Sequence, residues 1–211
     1  MRSKNDWLDY LEHSVLCHYG VLGMHWGIRR YQPYSTIPRK SGKGGKEIGL
    51  SNDFANNLSA TMQKTIKYSD FTRLKSAKEV EQSRSGSCHD QVMYEYQKLK
   101  AAGYKPKVRF LIEYDPKTGM GGTTHSFVYY KDGKDTIWFE NAWGGKEGVH
   151  KRDSIQAIQK EIKRYHSSGE FGDHNKYSKI EFSDFKPERQ KAGSSLQEVV
   201  DVALSDDRNN R

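Results

Sequence analysis

The chain has 211 residues, 34 % hydrophobic and 29 % charged, with a formal net charge of +8 and a mean hydropathy of −0.94. That length holds one domain of ordinary size plus extensions, and so little apolar material must be concentrated centrally, leaving dilute ends. No run approaches the roughly 18 apolar residues of a membrane span, the start from Met1 to Asp9 lacks a signal-peptide core, and two cysteines, Cys17 and Cys88, in segments of unlike character do not form a disulfide framework. 

Asp6 to Leu16 carries Trp7, Leu8, Leu11, Val15 and Leu16 near helical spacing, which predicts a short amphipathic helix ending at Cys17-His18-Tyr19-Gly20. Residues 18–32 form a glycine-punctuated run of aromatic and basic residues that is neither a clean helix nor a clean strand. Pro33 to Gly49 is rich in Pro, Gly, Ser and Lys and reads as a linker. Residues 1–50 hold eight Lys or Arg against four Asp or Glu, a flexible basic extension with about half of the net charge. No aromatic-and-basic stripe or zinc-finger spacing accompanies that surplus, so nucleic acid is not the expected partner.

Helices are predicted over Asn52 to Lys67 and Ser76 to Gln82, the second opened by the capping-box pair Ser76 and Glu79. Ser85-Gly-Ser-Cys88 leads into a third, in which Val92, Met93, Tyr96 and Leu99 share one face and Gly103 supplies the stop. Val108 to Tyr114, His125 to Tyr130 and Thr136 to Glu140 read as strands. The glycine-rich loop Asp115 to Thr123 joins the first two, and the hairpin Lys131-Asp-Gly-Lys134 joins the last two. Ser154 to Tyr165 is a further helix, capped by Asp153 or Ser154, with Ile155, Ile158 and Ile162 inward. Tyr177 to Phe182 adds an edge strand, and from Lys186 the chain is a polar tail with at most one short helix around Leu196 to Leu204. The expected organisation is therefore residues 1–50 as extension and linker, 51–185 as one domain and 186–211 as tail. Its fold class is α+β, a helix packed on an antiparallel sheet.

The chemistry-bearing residues fall at the ends of these elements. A helix N-terminus favours a thiolate, the form in which sulfur is a nucleophile, and Cys88 sits in such a first turn. His125 opens a strand just after the glycine-rich loop, where an imidazole can reach a helix end and serve as base. If the hairpin turns on Asp132-Gly133 alone, His125 faces Glu140, with Cβ atoms roughly 5 Å apart, and the carboxylate orients the ring. A three-residue loop slips the register by one and puts Asn141 there instead. The Asp-Gly pair favours the shorter turn and thus Glu140.

Gly86-Ser-Cys-His-Asp-Gln-Val92, then His125-Ser-Phe-Val-Tyr-Tyr-Lys-Asp-Gly133 and Ile137-Trp-Phe-Glu-Asn-Ala-Trp143, resembles the transglutaminase-like pattern, where His begins one strand and an acid ends the next. Asn141-Ala-Trp143-Gly144 also resembles the papain-type Asn followed by a shielding Trp. Gln82, six residues before Cys88, matches that family's oxyanion glutamine in spacing. The resemblance covers about residues 76–145 and implies a papain/transglutaminase-like core. It further implies a Cys-His-Glu/Asn triad, a protein or peptide substrate, no cofactor, and amide hydrolysis or acyl transfer. His89 stands where an aromatic residue follows the nucleophile in that family, and the interval from Cys88 to His125 is shorter than in papain. Residues 18–32 are similar to a short module of phage and prophage proteins of Gram-positive bacteria, which implies cytoplasmic or virion-associated placement and docking to a virion or capsid protein. On that alternative the domain keeps its fold without the chemistry. The histidines and cysteine at His13, Cys17, His18 and His25 fit no familiar zinc spacing, and no element brings His89, Asp90 and His125 together, so no metal is expected.

Overall fold

The computed structural model describes residues 52–114, 117, 121–142, 147–167 and 179–208. The expected N-terminal helix, the 18–32 module, the linker, the His13, Cys17, His18 and His25 group, and Trp143 all lie outside the described residues.

Helix α1 (Asn52–Thr65) follows the helix predicted over Asn52 to Lys67 closely, with Ala55, Leu58 and Met62 buried at helical spacing. Strand β1 (Lys67–Tyr68) pairs in parallel with β2 (Ser85–Gly86), and between them lies α2 (Ala77–Ser83). Both hydrogen bonds of the predicted capping box form at its start: Ser76 Oγ accepts from the Glu79 N–H, and Glu79 Oε2 accepts from the Ser76 N–H at 2.8 Å. Helix α3 (Cys88–Ala101) then carries the cysteine at its first residue.

Strands β3 (Lys107–Tyr114), β4 (Gly121–Asp132), β5 (Asp135–Glu140) and β6 (Gly148–Arg152) form an antiparallel meander. Helix α4 (Ile155–Ser167) leads to β7 (Lys179–Phe185), which returns to the opposite edge beside β3, giving the order β6-β5-β4-β3-β7. The α+β class is thus correct. Strand β6 has no counterpart in the sequence reading, because Gly-Val-His-Lys-Arg carries only Val149 as an apolar strand former and no alternation long enough to signal an edge.

Alternating side chains divide the core between the two faces of the sheet. Val108, Phe110 and Ile112 of β3, Val128 and Tyr130 of β4 and Ile137 and Phe139 of β5 belong to the larger cluster with residues of α1, α2 and α3. Leu111, Phe127, Tyr129 and Trp138 face the other way, onto Ile158 and Ile162 of α4, as the inward reading of that helix required. A short 3-10 turn (Pro187–Arg189) precedes α5 (Leu196–Arg208), whose Val199, Val200 and Ala203 are fully buried in the larger cluster. The stretch read as a polar tail therefore closes the core, and its polarity belongs to the solvent side of an amphipathic helix. Among the described residues no helix is long and apolar enough to cross a membrane.

Candidate active site

Consecutive helix ends set the position of Cys88. Helix α2 stops at Arg84, which adopts the left-handed conformation at φ 50° and returns its N–H to Val80 O. The chain behind it is held by Lys67 N–H to Arg84 O at 2.8 Å and Ser69 N–H to Gly86 O at 3.2 Å. Ser87 then caps α3 in a second capping box, with Asp90 Oδ2 accepting from the Ser87 N–H at 2.9 Å and Ser87 Oγ accepting from the Asp90 N–H at 3.3 Å. Asp90 Oδ1 also accepts from the Lys75 N–H at 2.7 Å. Gly86 is required by proximity: a Cβ there would stand 2.8 Å from Asp90 Cβ. The glycine of the Gly-Ser-Cys run is what lets the cap close over the sulfur-bearing residue.

The base and its orienter come from the two central strands. The β4–β5 ladder covers only Tyr129↔Trp138 to Asp132↔Asp135, while β4 stays paired to β3 as far as His125 and beyond, and β5 stays paired to β6 through Glu140↔Gly148. His125 Nε2 lies 3.0 Å from Glu140 Oε2, and Glu140 Oε1 accepts from the backbone N–H groups of Asn141 at 3.0 Å and Ala142 at 2.9 Å. His125 and Cys88 lie close enough for each to shift the other's protonation. With Nε2 taken by the carboxylate, Nδ1 is the nitrogen left to exchange a proton with sulfur. Cys88, His125 and Glu140 are 3 %, 1 % and 0 % exposed.

Glu140 meets His125, but not through the anticipated register. The turn residues are Gly133 and Lys134, flanked by the pair Asp132↔Asp135, and only Gly133 has positive φ, at 60°. That is the type II′ arrangement, which wants glycine first, in place of an Asp-Gly type I′ turn. Extended along the strands, this register sets Phe127 opposite Glu140, so His125 and Glu140 are diagonal neighbours on one face. Their side chains are long enough to bridge that diagonal. Asn141, the alternative orienter, turns elsewhere: its Nδ2 donates to Glu95 Oε1 at 2.7 Å. Gln82, given an oxyanion role by its spacing, is exposed on α2. The buried glutamine is Gln91, whose Nε2 donates to Gly86 O at 2.8 Å.

His89 packs as the aromatic side chain whose place it takes. Its ring stacks on Phe110 with centroids 5.4 Å apart and meets Phe71 edge-on at 5.7 Å. Its two nitrogens lie 2.8 Å from Ser126 Oγ and 3.0 Å from Thr124 Oγ1. Those hydroxyls flank His125 on β4 but point to the opposite face, so strand alternation separates the packing histidine from the one that holds a carboxylate.

Charge follows this geometry. Burial alone would push the Cys88 thiol up, but the charge of the His89 ring and hydrogen bonding from His125 and His89 outweigh it and hold the thiol well below its ordinary range. Burial would likewise lower His125, yet the Glu140 carboxylate, aided by the Cys88 sulfur, raises it far above the usual imidazole value. Glu140 is held below the ordinary carboxylate range against its burial by His125 and by the Ala142 N–H. Among the described residues His125 bonds a carboxylate, whereas His89 bonds two hydroxyls. The directions of these shifts favour a thiolate at Cys88, an imidazolium at His125 and a carboxylate at Glu140.

Glu95 is the site residue that sequence reading missed. It lies two helical turns after Cys88 on the face that also presents Val92 and Leu99, and it is fully buried. An acid inside an apolar helical stripe was the available signal. Compared with known proteins, the chain matches no family model and no curated protein sequence.

Proposed function

We propose that the domain catalyses thiol-dependent acyl transfer or amide-bond hydrolysis, with Cys88 as nucleophile, His125 as acid and base, and Glu140 as the group that orients and charges the imidazole. The observation that carries this reading is the buried series from Cys88 through His125 to Glu140, assembled from three separate elements. A helix first turn, a strand interior and a strand end serve packing equally well without such residues, and three ionisable groups in a dry core cost stability unless their interaction is used. The helix-on-antiparallel-sheet core is consistent with the papain/transglutaminase-like arrangement that the Gly86–Val92 and His125–Trp143 segments resemble.

The mechanism follows from the charges. The Cys88 thiolate attacks the carbonyl carbon of an amide or thioester in a protein or peptide, forming a C–S bond and an oxyanion. The oxyanion is met by the Cys88 backbone N–H, which at the first position of a helix has no partner within the helix. Imidazolium His125 delivers its proton to the leaving nitrogen or sulfur as that bond breaks. In the second half-reaction His125 takes a proton from water or an amine, which attacks the acyl-enzyme and returns the cysteine thiolate. Enclosure away from water strengthens each of these charge interactions.

Activity profiling tests the reading. Purified full-length protein treated with a thiol-reactive acyl probe is expected to carry the label on the peptide containing Cys88. Cys88→Ala is expected to abolish labelling and acyl transfer with an unchanged circular dichroism spectrum. Labelling that falls equally on Cys17 and Cys88, or that survives in Cys88→Ala, contradicts it.

A further inference from the structure

Behind the series of Cys88, His125 and Glu140 lies a second acid that the mechanism does not use. Glu95 of α3 is fully buried, and one of its oxygens, Oε1, accepts from Asn141 Nδ2 at 2.7 Å. Its other oxygen, Oε2, and Asn141 Oδ1 have no hydrogen-bond partner among the described residues. Two bare oxygens thus belong to the same bonded pair of residues, and both are acceptors while Glu95 is ionised. A buried acceptor left without a donor is costly. A proton on Glu95 supplies the missing donor and turns the pair into an acid–amide couple with donors on both sides.

Of the charged groups facing Glu95, Glu140 favours the neutral acid and His125 opposes it. Glu140 at the end of β5 is a carboxylate, His125 on β4 carries the compensating imidazolium, and that imidazolium is already engaged by Glu140 and the Cys88 sulfur. A second buried carboxylate would share one cation with Glu140. We infer, on the acyl-transfer reading of the site, that Glu95 is a positioning residue kept as a neutral carboxylic acid, which pins the Glu140–Asn141 corner to the helix that presents Cys88. Because Asn141 follows Glu140 directly, and its N–H also donates to Glu140 Oε1, this tie fixes the carboxylate that orients His125. In agreement, burial and the nearby Glu140 push the Glu95 carboxyl up to about 8, only partly opposed by the Asn141 amide and the His125 charge.

The consequence for stability has a definite sign. Glu95 in the folded chain keeps its proton up to about pH 8, whereas an unfolded glutamate releases it near pH ~4.3. Folding therefore takes up a proton between those values, and stability present in full at the acid end is lost as pH rises through the window. Glu95→Gln retains the amide tie without the ionisation. Wild-type and Glu95→Gln full-length chains are compared by urea unfolding from pH 4 to 9, with iodoacetamide alkylation of Cys88 followed in parallel. The expected result is a wild-type midpoint that falls relative to Glu95→Gln as pH rises, Cys88 alkylation in Glu95→Gln within about twofold of wild type at pH 6, and alkylation selectivity lost in Glu95→Ala. Titration of the Glu95 carboxyl carbon by NMR in the wild-type chain adds a reading that needs no variant, and a midpoint well above pH 7 is expected. Parallel unfolding curves, or titration of Glu95 in the ordinary carboxylate range, with Cys88 still selectively alkylated, overturn the proposal and leave the acyl-transfer reading standing. Absence of selective Cys88 alkylation in the wild-type chain overturns both.

Discussion

At Gly86 a single hydrogen atom in place of a methyl group decides whether the nucleophile's cap can form. A Cβ at 86 would meet Asp90 Cβ at 2.8 Å, and Asp90 is fixed by its bonds to Ser87 and Lys75, so neither side has room to give. Gly86→Ala is expected to cost about 1–3 kcal/mol of stability, the usual range for an overpacked site, and to slow alkylation of Cys88, measured by urea unfolding and by iodoacetamide kinetics. Glu140 acts through charge. Glu140→Gln keeps the shape but removes the anion that stabilises imidazolium, so the thiolate loses its partner, and the inflection in Cys88 alkylation against pH is expected to move up toward the ordinary thiol range near pH ~8.5. An unmoved inflection would show that Glu140 only fills space. Cys88 was legible because it opens a helix that local signals mark, whereas His125 was expected to open a strand but lies inside β4, which begins at Gly121 within the stretch read as a glycine-rich loop. Glu95 was not legible, since its role depends on Asn141 approaching from a distant strand.

Caps, turns and apolar periodicity made most elements readable, and the departures have physical causes. Ser76 announces its helix through the capping box read from the sequence, and Ser87 closes a second one with Asp90 that the sequence reading did not name. The hairpin was located correctly, but its two turn residues are one step later than the Asp-Gly pair indicated, because Gly133 alone takes positive φ. That step moves His125 from directly opposite Glu140 to the diagonal, and their contact survives because the side chains are long. The C-terminal helix expected around Leu196 to Leu204 forms, but it belongs to the core and not to a tail. Its sequence is polar on average, yet Val199, Val200 and Ala203 recur at helical spacing and are fully buried. The turn before it is bonded to the loop before α2 by Leu74 N–H to Ser194 O and Gly193 N–H to Leu74 O, both 2.8 Å. A chain ending at Gln190 is expected to lose about 3–6 kcal/mol from the two valines alone, a large part of the roughly 5–15 kcal/mol that holds an ordinary domain. Circular dichroism and urea unfolding of that truncation check this, and an unchanged midpoint would mean that the helix is dispensable.

Across the whole molecule, the sheet separates two packing jobs and the site occupies the place where they meet. One face carries α1, α2, α3 and α5 over the larger cluster, and the other carries α4 over Phe127 and Trp138. Between the central strands, ladder pairing ends at Tyr129↔Trp138, and the ends beyond it supply His125 and Glu140 to a sulfur delivered by α3. A fold of this kind stores its chemistry as buried charge, so the protonation state of the sulfur reports on the entire arrangement. The most direct measurement is the rate of Cys88 alkylation by iodoacetamide as a function of pH in the wild-type chain. The account predicts an inflection well below the free-thiol value of about 8.5, lost in His125→Ala. An inflection at or above that value, indifferent to His125, would contradict it.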